Sequence, residues 1–521
     1  GPGVRRLLFA ALALMAAGAW SFPAEERPDL RLYIAGSSAQ DRLIEGLLRL
    51  RDDLPDTPAL CAAGTLDVYQ GRAGGMRQRV FLCRTTDAIP GIAAGLRLAI
   101  FKSSGGSGDG VVPLLAETPL PFLRQQALAQ GCGGRNRLLP SGALSAYSVH
   151  VDCETTITRV VPDAGISDLE PAMFSEDTRL LETHPLTQLV WGLPVSRNFR
   201  NALQALQGLV PAEVPHDDPR RETLPAMPTL NSAQLASIFA GAVESWSAFY
   251  DEAGDPITAS AALPPPPPRS RRDLSGTSPG AYRPTAASGD RIYLCRRVES
   301  SGTQLAFALH YLRRGCTAPS PTFAAPDDGS NGVAGGEVSA LLDRDPPEGR
   351  INAGRGSADV RACLDHHDDH NRWAIGMLST ENIGDYLDAE YRHVRVDGYA
   401  PTLLNAHRGL WRHVSTGSIQ WVREQEREAE LAEEQPKILN YLAAYLGQPT
   451  VLSSLNRAFR HSWGQGGYLG RVGSGNHTVE APVTAGTLEE RPLAGVSYEH
   501  FGEPRSCLPP LLSGPSAIGG D

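Results

Sequence analysis

The sequence predicts an α/β protein with mainly parallel sheets. Three segments, residues 30–50, 96–117 and 292–314, share one plan. Each begins with an apolar run of strand character, continues through a short turn rich in Ser and Gly, and ends with apolar residues at helical spacing. Strands that alternate with helices are typical of sheets whose neighbouring strands are joined by helical crossovers, so the plan predicts this fold class.

Length and charge narrow the kind of protein. The chain has 521 residues, of which 41% are hydrophobic and 20% charged. Such a chain is long enough for two to four domains, or two large lobes, with real cores. The formal net charge of −10 argues against a nucleic-acid partner.

The N-terminal residues 1–21 have the pattern of a secretory signal peptide. Arg5 and Arg6 precede an apolar run over 7–19 that is short for a membrane span, and small residues follow at the expected cleavage point. We therefore expect a periplasmic or secreted protein. Because no cysteine follows the apolar run, a lipid anchor is not implied.

Eight cysteines favour disulfides in an exported chain. They are Cys61, Cys83, Cys132, Cys153, Cys295, Cys316, Cys363 and Cys507. No two have the Cys-x-x-Cys spacing of a zinc ribbon or a thioredoxin-like site. We expect near neighbours to pair, as Cys61–Cys83 and Cys132–Cys153, and leave the other pairings open.

Two segments interrupt the α/β pattern. Residues 254–290 are proline-rich and residues 318–355 are rich in Gly, Pro and Asp, so both are interpreted as insertions. Residues 419–447 predict a charged helix followed by a more apolar one. The run LDHHDDH at 364–370 holds metal-ligand residue types without a metal-site motif, and we interpret it as a solvated loop or helix start, with adventitious metal binding as the alternative. No cofactor is expected.

The turns of the three repeated segments share a chemistry suited to anions. Free backbone N–H groups at a helix N-terminus, together with hydroxyl donors and glycines, can surround an oxyanion. For any single turn, ordinary helix capping by Ser or Thr is the favoured interpretation. Three such turns in one chain, one of them preceded by an arginine, favour an anion site. The residues concerned are Ser37 and Ser38, then Ser103, Ser104, Gly105 and Gly106, then Ser301, Gly302 and Thr303.

Two charged residues complete this candidate site. Arg297 lies four residues before Ser301 at the end of a predicted strand, where a guanidinium can bind two oxygens of a tetrahedral anion. Asp168 follows the predicted strand Ala164–Ser167. A carboxylate there accepts a hydrogen bond from protonated phosphate and repels sulfate, so it would select phosphate.

Taken in order, these segments resemble the phosphate-binding proteins that serve ABC importers, in the type II periplasmic-binding-protein superfamily. The turn AGSSA is similar to the family's first Gly-Ser/Ala-Thr-Phe turn, with Ala39 where the family has an aromatic residue. KSSGG resembles its Ser-Ser-Gly-Gly loop, and DAGISD resembles its Phe-Gly-Ala-Ser-Asp strand. Residues 297–303 match its Arg-x-x-x-Ser-Gly-Thr motif without a gap. The segment 230–247 and the stretches WAIGML and VDGYAP are similar to later family segments in the same order.

The resemblance implies two α/β lobes with mixed sheets and a ligand cleft between them. It places the first lobe at 28–185, the second at 186–390, and a return to the first lobe with a C-terminal tail at 391–521. It implies capture of phosphate or a similar oxyanion for an ABC importer, without catalysis. The alternatives are a secreted structural or adhesive protein that uses this fold with little ligand binding, and a phosphatase-like enzyme of the same fold. No motif places a histidine beside a serine, and no nucleophile-elbow or phosphate-loop motif is present, so enzymatic activity is the least favoured.

Overall fold

A computed structural model describes most of the chain. The described residues are 22–54, 57–153, 156–265, 280–281, 283–284, 289–316, 350–382, 389–423, 434–470, 497–498, 507 and 511–512. The predicted signal peptide at 1–21 lies outside them, as do most of the proline-rich insertion and of the insertion at 318–355. Within the described ranges, no helix has the length and apolar character needed to cross a bilayer.

The described helices and strands alternate along much of the chain. The α-helices are α1 (Asp41–Leu48), α2 (Val112–Leu115), α3 (Arg197–Leu206), α4 (Ser232–Phe239), α5 (Gly302–Tyr311), α6 (Ser357–Asp369), α7 (Leu403–His407), α8 (Gln435–Tyr445) and α9 (Pro449–Asn456). The strands are β1 (Leu30–Gly36), β2 (Asp67–Ala73), β3 (Met76–Arg84), β4 (Arg97–Ser104), β5 (Leu120–Leu123), β6 (Cys132–Leu138), β7 (Tyr147–Cys153), β8 (Ile157–Val160), β9 (Ala164–Ser167), β10 (Leu181–Gly192), β11 (Pro194–Ser196), β12 (Thr229–Leu230), β13 (Tyr293–Arg297), β14 (Ile351–Gly354), β15 (Ala374–Gly376), β16 (Leu378–Ser379), β17 (Tyr391–His393), β18 (Arg395–Val396), β19 (Val414–Val422), β20 (Arg460–His461), β21 (Gly464–Gln465), β22 (Tyr468–Leu469), β23 (Ser497–Tyr498) and β24 (Leu511–Leu512).

The larger sheet has eleven strands, in the order β16-β10-β19-β9-β1-β4-β3-β2-β7-β6, with β22 paired to β10. Its centre, β1, is apolar on both faces because helices or strands cover both sides. β1 runs parallel to β4 and to β9, whereas β3 and β19 run antiparallel to their neighbours. The expectation of mainly parallel sheets is therefore wrong for this sheet, since the hairpin β2–β3 inserts antiparallel strands beside β4.

The smaller sheet has five strands, in the order β14-β13-β15-β11-β17. β13 is parallel to both β14 and β15, and β11 is antiparallel to β15 and β17. The two sheets and their helices confirm the predicted α/β architecture with two mixed-sheet lobes.

The chain passes between the two sheets more than once. β10 in the larger sheet is followed after one residue by β11 in the smaller one, and β15 is followed as closely by β16, which pairs with β10. The last passage leads from β17 to β19, so the chain rejoins the larger sheet at Val414. The domain bounds at 186 and 390 stay predictions.

Two large apolar cores correspond to the two sheets. One lies under the larger sheet and includes α1, α8 and α9, and the other lies under the smaller sheet and includes α3 and α4. Helix α5 belongs to both: Leu305, Ala306 and Leu309 pack into the first core, while Phe307 and Ala308 pack into the second. The lobes therefore meet along α5.

Four disulfides are present. The two expected pairs, Cys61–Cys83 and Cys132–Cys153, are confirmed. Both join neighbours in chain and in space, the second one directly across the antiparallel pair β6–β7. The other two, whose partners the sequence left open, are Cys295–Cys363 and Cys316–Cys507.

Two local predictions need correction. Residues 419–422 belong to β19 rather than to a charged helix, because β19 is paired on both sides by β10 and β9; residues 424–433 of that prediction lie outside the described range. The predicted apolar helix is present as α8. The run at 364–370 is the buried end of α6 rather than a solvated loop, and Asp368 accepts a hydrogen bond from the Asn198 N–H at the start of α3, at 2.7 Å.

Candidate functional site

The strand ends that carry the candidate residues point to one edge of the larger sheet. β1, β4 and β9 are neighbouring parallel strands that end at Gly36, Ser104 and Ser167. Ligands of open α/β sheets bind outside such carboxyl ends. On the smaller sheet, the parallel strands β13 and β14 end at Arg297 and Gly354, and they supply the opposite wall.

Asp168 is buried at this edge and held by first-lobe hydroxyl and amide groups. Its carboxylate accepts hydrogen bonds from the Ser37 hydroxyl and from Gln40 Nε2, the latter at 3.2 Å, while its backbone N–H donates to Ser107 Oγ at 2.9 Å. Burial raises the pKa of Asp168, and these hydrogen bonds and the charge of Arg297 oppose the rise. The structure thus brings Ser37 and Asp168 together.

Gly302 is the residue of the second lobe that lies against Asp168. It is the first residue of α5, and a Cβ built on it would lie 2.2 Å from Ser107 Oγ and 2.6 Å from Asp168 Oδ2. Any side chain here would collide with the first lobe, which explains why the position is glycine. The carboxylate of Asp168 therefore lies against the positive N-terminal end of a ten-residue helix.

Ser301 and Thr303 flank this contact but have structural partners. The Ser301 hydroxyl accepts from the Gln304 N–H at 3.4 Å and so caps α5, which is the capping interpretation that the sequence left open. Thr303 Oγ1 accepts from Arg297 Nη1 at 3.2 Å. Both residues are buried.

Arg297 is buried at the end of β13. Its Nε donates to the Gly354 carbonyl at 3.1 Å and its Nη2 to the Arg355 carbonyl at 2.5 Å. With the bond to Thr303, three of the five guanidinium N–H groups have these partners. Burial lowers the pKa of Arg297 to about 10, and the carboxylates of Asp168 and Asp359 oppose this. The side chain remains a cation at neutral pH.

The structure around Ser103 and Ser104, the second predicted turn, differs from the prediction. Ser103 and Ser104 are the last residues of β4, not the start of a helix, because both still pair with β3. As neighbours on a strand they point to opposite faces: Ser103 Oγ accepts from Gln78 Nε2 at 3.0 Å, and Ser104 Oγ donates to Asp41. Gly105 follows at the turn, packed against Asp109. The structure therefore does not bring Ser103 to the other candidates.

A buried ionic network lies beneath Ser37 and Ser104. Lys102 is fully buried, and its Nζ lies 3.0 Å from Asp41 Oδ1, 3.0 Å from Ser104 Oγ and 2.7 Å from the Ser37 carbonyl. Asp41 also pairs with Arg79. Burial acts to raise the pKa of Asp41, but Lys102 and Arg79 outweigh it and lower the value.

Sequence reasoning overlooked this network although a signal was present. Lysine occurs at only two positions in the chain, 102 and 437. One of them directly precedes the Ser-Ser-Gly-Gly turn, and this placement of a rare residue was the signal.

Ser38 stands apart from the contacts of Ser37. It lines a small cavity of about 40 Å³ together with Ser104 and Gly105. A larger cavity, of about 420 Å³, lies in the second lobe between α3, α4 and Trp246, and none of the predicted site residues line it.

One group of metal-ligand residue types occurs among the described residues. Cys295, Cys363 and His367 have ligand atoms within 4.8 Å of one another. Both thiols are joined in a disulfide, so they offer no thiolate to a metal.

Comparison with known proteins gives structural neighbours only. No family model matches the sequence, and no curated protein matches it. A putative phosphate ABC transporter substrate-binding protein from Clostridium perfringens, solved with bound phosphate, is 11% identical, covers 82% of this chain and 97% of its own, and has a TM-score of 0.37. An ABC-type phosphate transport receptor from Vibrio cholerae is 12% identical, with 79% and 93% covered and a TM-score of 0.32. PstS from Borrelia burgdorferi is 10% identical, with 82% and 97% covered and a TM-score of 0.30. What each of these proteins binds is a property of that protein.

Proposed function

We propose that this chain is an extracytoplasmic solute-binding protein that captures phosphate or a similar tetrahedral oxyanion between its lobes and delivers it to an ABC importer. One observation carries the proposal: Asp168 of the larger sheet meets Gly302, at the N-terminus of α5, across the two lobes. The motif of Arg297 and residues 301–303 supports it, since the same short stretch holds a cation and the start of a helix.

The chemistry of the contact suits a protonated oxyanion. Arg297 has two N–H groups beyond its three bonds to protein oxygens, and the first turn of α5 offers backbone N–H groups. Asp168 accepts a hydrogen bond from a protonated phosphate oxygen, which sulfate lacks at neutral pH. When the ligand enters, the anion would replace Ser37 and Gln40 as the hydrogen-bond partner of Asp168.

A second candidate function is a secreted structural or adhesive role with little ligand binding. The observation that favours it is the direct contact between the lobes at this point. The Gly108 N–H donates to the Ser300 carbonyl at 2.9 Å, and the side chains of Ser37, Ser301 and Thr303 all have protein partners. Hydroxyl groups that are already paired within the protein need no ligand for their stability.

Calorimetry with phosphate and sulfate separates the two functions. The mature chain is unfolded and refolded with its disulfides intact to remove any bound anion, and each anion is then titrated into wild type, Arg297→Ala and Asp168→Asn. We expect phosphate to bind with a Kd near or below about 1 μM. Arg297→Ala should abolish this micromolar binding, and Asp168→Asn should reduce the preference for phosphate over sulfate. Arg291→Ala, an exposed arginine just before β13, is the matched control.

Absence of heat and of any thermal shift at millimolar phosphate, from a folded sample, would reject phosphate capture and favour the structural role. Release of phosphate from a phosphate ester by the same sample would instead reveal an enzyme.

A further inference from the structure

We propose a second anion site at the mouth between the lobes, which takes a dianionic tetrahedral oxyanion, free or as the head group of an ester. The site is the cavity of about 40 Å³ noted above, here named the arginine cavity. Its walls carry three arginines, two from the hairpin β2–β3 and one from the turn before α6. Its lining residues are Ser38, Arg72, Gly75, Met76, Arg77, Ser104, Gly105, Arg355, Gly356, Ser357, Ala358 and Asp359.

The central cation of the arginine cavity is Arg77. It is half-buried, and within the described part of the chain no hydrogen bond or ion pair joins its guanidinium to another residue. Burial lowers the pKa of Arg77, and the positive charges of Arg79, Arg361 and Arg72 act in the same direction while Asp41 opposes them. A cluster of cations that repel one another is stabilised by an anion placed among them.

The nearby carboxylates offset only part of this charge, because the lining holds three arginines and one carboxylate, Asp359. Asp359 Oδ2 accepts the backbone N–H groups of Arg355 and Gly356, each at 3.0 Å, and Asp41 is buried in its pairs with Lys102 and Arg79. The pKa of Asp109 is raised by burial, which favours its neutral form, although Arg355 opposes the rise. Positive charge therefore prevails in the cavity.

Size and access fit a tetrahedral oxyanion. A water molecule needs about 10–15 Å³ of such volume, so a cavity of about 40 Å³ has room for roughly three of the four oxygens of a tetrahedral anion, and the fourth would lie at the mouth. Arg72 and Arg355 are exposed at its mouth. An ester substituent on the anion could project past them into solvent without separating the lobes.

The arginine cavity should not distinguish phosphate from sulfate. Guanidinium groups stay protonated over the working pH range and only donate hydrogen bonds, so they accept any dianion of suitable shape. The carboxylate that could detect a proton, Asp168, does not line this cavity. Anion binding in this cavity is therefore independent of phosphate capture at Arg297 and would remain if that capture failed.

The test is calorimetric titration of sulfate, inorganic phosphate and glycerol phosphate at about pH 8, where phosphate is largely a dianion. We expect all three to bind the full mature chain, with affinity that falls steeply as salt rises. Arg72→Gln and Arg77→Gln should each weaken sulfate binding by about tenfold or more, since each removes a charge-assisted hydrogen bond. Arg159→Gln, an exposed arginine on β8 outside the cavity, should leave it unchanged.

Each outcome of these titrations either supports or overturns the arginine cavity. Equal sulfate binding by wild type and Arg77→Gln, or no binding of any of the three anions at about 10 mM, would overturn the arginine cavity whatever happens at Arg297. Sulfate binding lost in Arg297→Ala but kept in Arg77→Gln would move the anion to the Asp168 site and overturn it too. If only sulfate and inorganic phosphate bind, the ligand of the cavity is a free inorganic ion. If glycerol phosphate binds equally well, the cavity also accepts the head group of an ester. Either result supports the cavity.

Discussion

Lys102 is the buried cation on which the first-lobe wall of the candidate site depends, and Lys102→Met tests that role. Its ammonium group contacts the carboxylate of Asp41, the hydroxyl of Ser104 and the carbonyl of Ser37. Methionine keeps most of the aliphatic stem and its packing, while the charge and three donors are lost. The substitution therefore isolates the polar role of the residue.

The expected loss of unfolding free energy is about 3 kcal/mol. Removing one partner from a buried ion pair costs about 3–5 kcal/mol, because the other charge stays buried without compensation. Asp41 retains its pair with Arg79 and its bond from Ser104, which places the loss at the lower end. Asp41→Asn should be more damaging, since it leaves two buried cations, Lys102 and Arg79, facing each other.

The measurement is urea unfolding of wild type and of single variants, with disulfides intact. The chain supplies its own matched control, because its only other lysine is Lys437. Lys437 Nζ lies at the surface, 3.4 Å from the Gly91 carbonyl, so Lys437→Met should change the unfolding free energy by less than about 0.5 kcal/mol. An amine-acylating reagent should modify Lys437 and spare Lys102 in the folded protein.

The reasoning would be refuted if Lys102→Met unfolded within about 1 kcal/mol of Lys437→Met, or if Lys102 were acylated as fast as Lys437. Either result would mean that the network is hydrated or only weakly coupled to folding.

Two further predictions concern the contact between the lobes and a buried acid. Gly302→Ala should lower the unfolding free energy by about 1–3 kcal/mol and weaken phosphate binding, because the added methyl group would overlap Ser107 and Asp168; the control Gly315→Ala, whose Cβ would meet nothing within 4 Å, should do neither. Burial raises the pKa of Glu381 from 4.5 to about 7, and Arg42 opposes the rise. The carboxyl group is therefore more easily ionised in the unfolded chain than in the folded one. Its stabilising contribution to the free energy of unfolding is fully present below about pH 4.5 and is lost as pH rises through about 7. Unfolding curves between pH 4 and 8 should show a fall of about 3 kcal/mol that Glu381→Gln removes, and a fall that persists in the variant would contradict this assignment.

The local sequence was sufficient to predict two of the three strand–turn–helix segments correctly. Leu30–Gly36 with Asp41–Leu48, and Tyr293–Arg297 with Gly302–Tyr311, form where the apolar spacing changes from that of a strand to that of a helix. Ser301 interrupts the second pattern and caps its helix. Such signals are local, so they can be recognised without knowing what each segment packs against.

The segment around Ser104 shows why the third prediction failed. Ser and Gly residues favour turns when considered alone. Here the ladder with β3 continues to Ser104, because the hairpin β2–β3 presents backbone groups that need partners. β3 and β4 are consecutive strands separated by residues 85–96, so the partner of Ser104, Arg77, lies outside the local pattern around the turn. Propensity is therefore overridden by a contact that this pattern does not contain.

The site itself combines both kinds of information. The motif of Arg297 and Ser301 is contiguous and could be read directly, whereas the contact between Asp168 and Gly302 joins residues 134 positions apart in different lobes. Burial of polar groups such as Lys102 depends on the same long-range assembly. Residue type and spacing could therefore propose the chemistry of the site, but not which hydroxyl groups are already committed to capping or to internal hydrogen bonds.

Helix α5 sets the energetic condition under which the lobes could act as a receptor. Opening the contact at Asp168 would withdraw Leu305 and Leu309 from the first core, where both are almost fully buried. Exposing two leucine side chains costs about 3–6 kcal/mol, and a ligand that enters only the open form has its apparent affinity reduced by the fraction of open molecules. At about 4 kcal/mol that reduction is roughly a thousandfold, so an intrinsic nanomolar site would be measured as micromolar.

The arginine cavity needs no such opening, because Arg72 and Arg355 are exposed at its mouth. Anion binding there should therefore be governed by salt, and anion binding at Asp168 by the packing of α5.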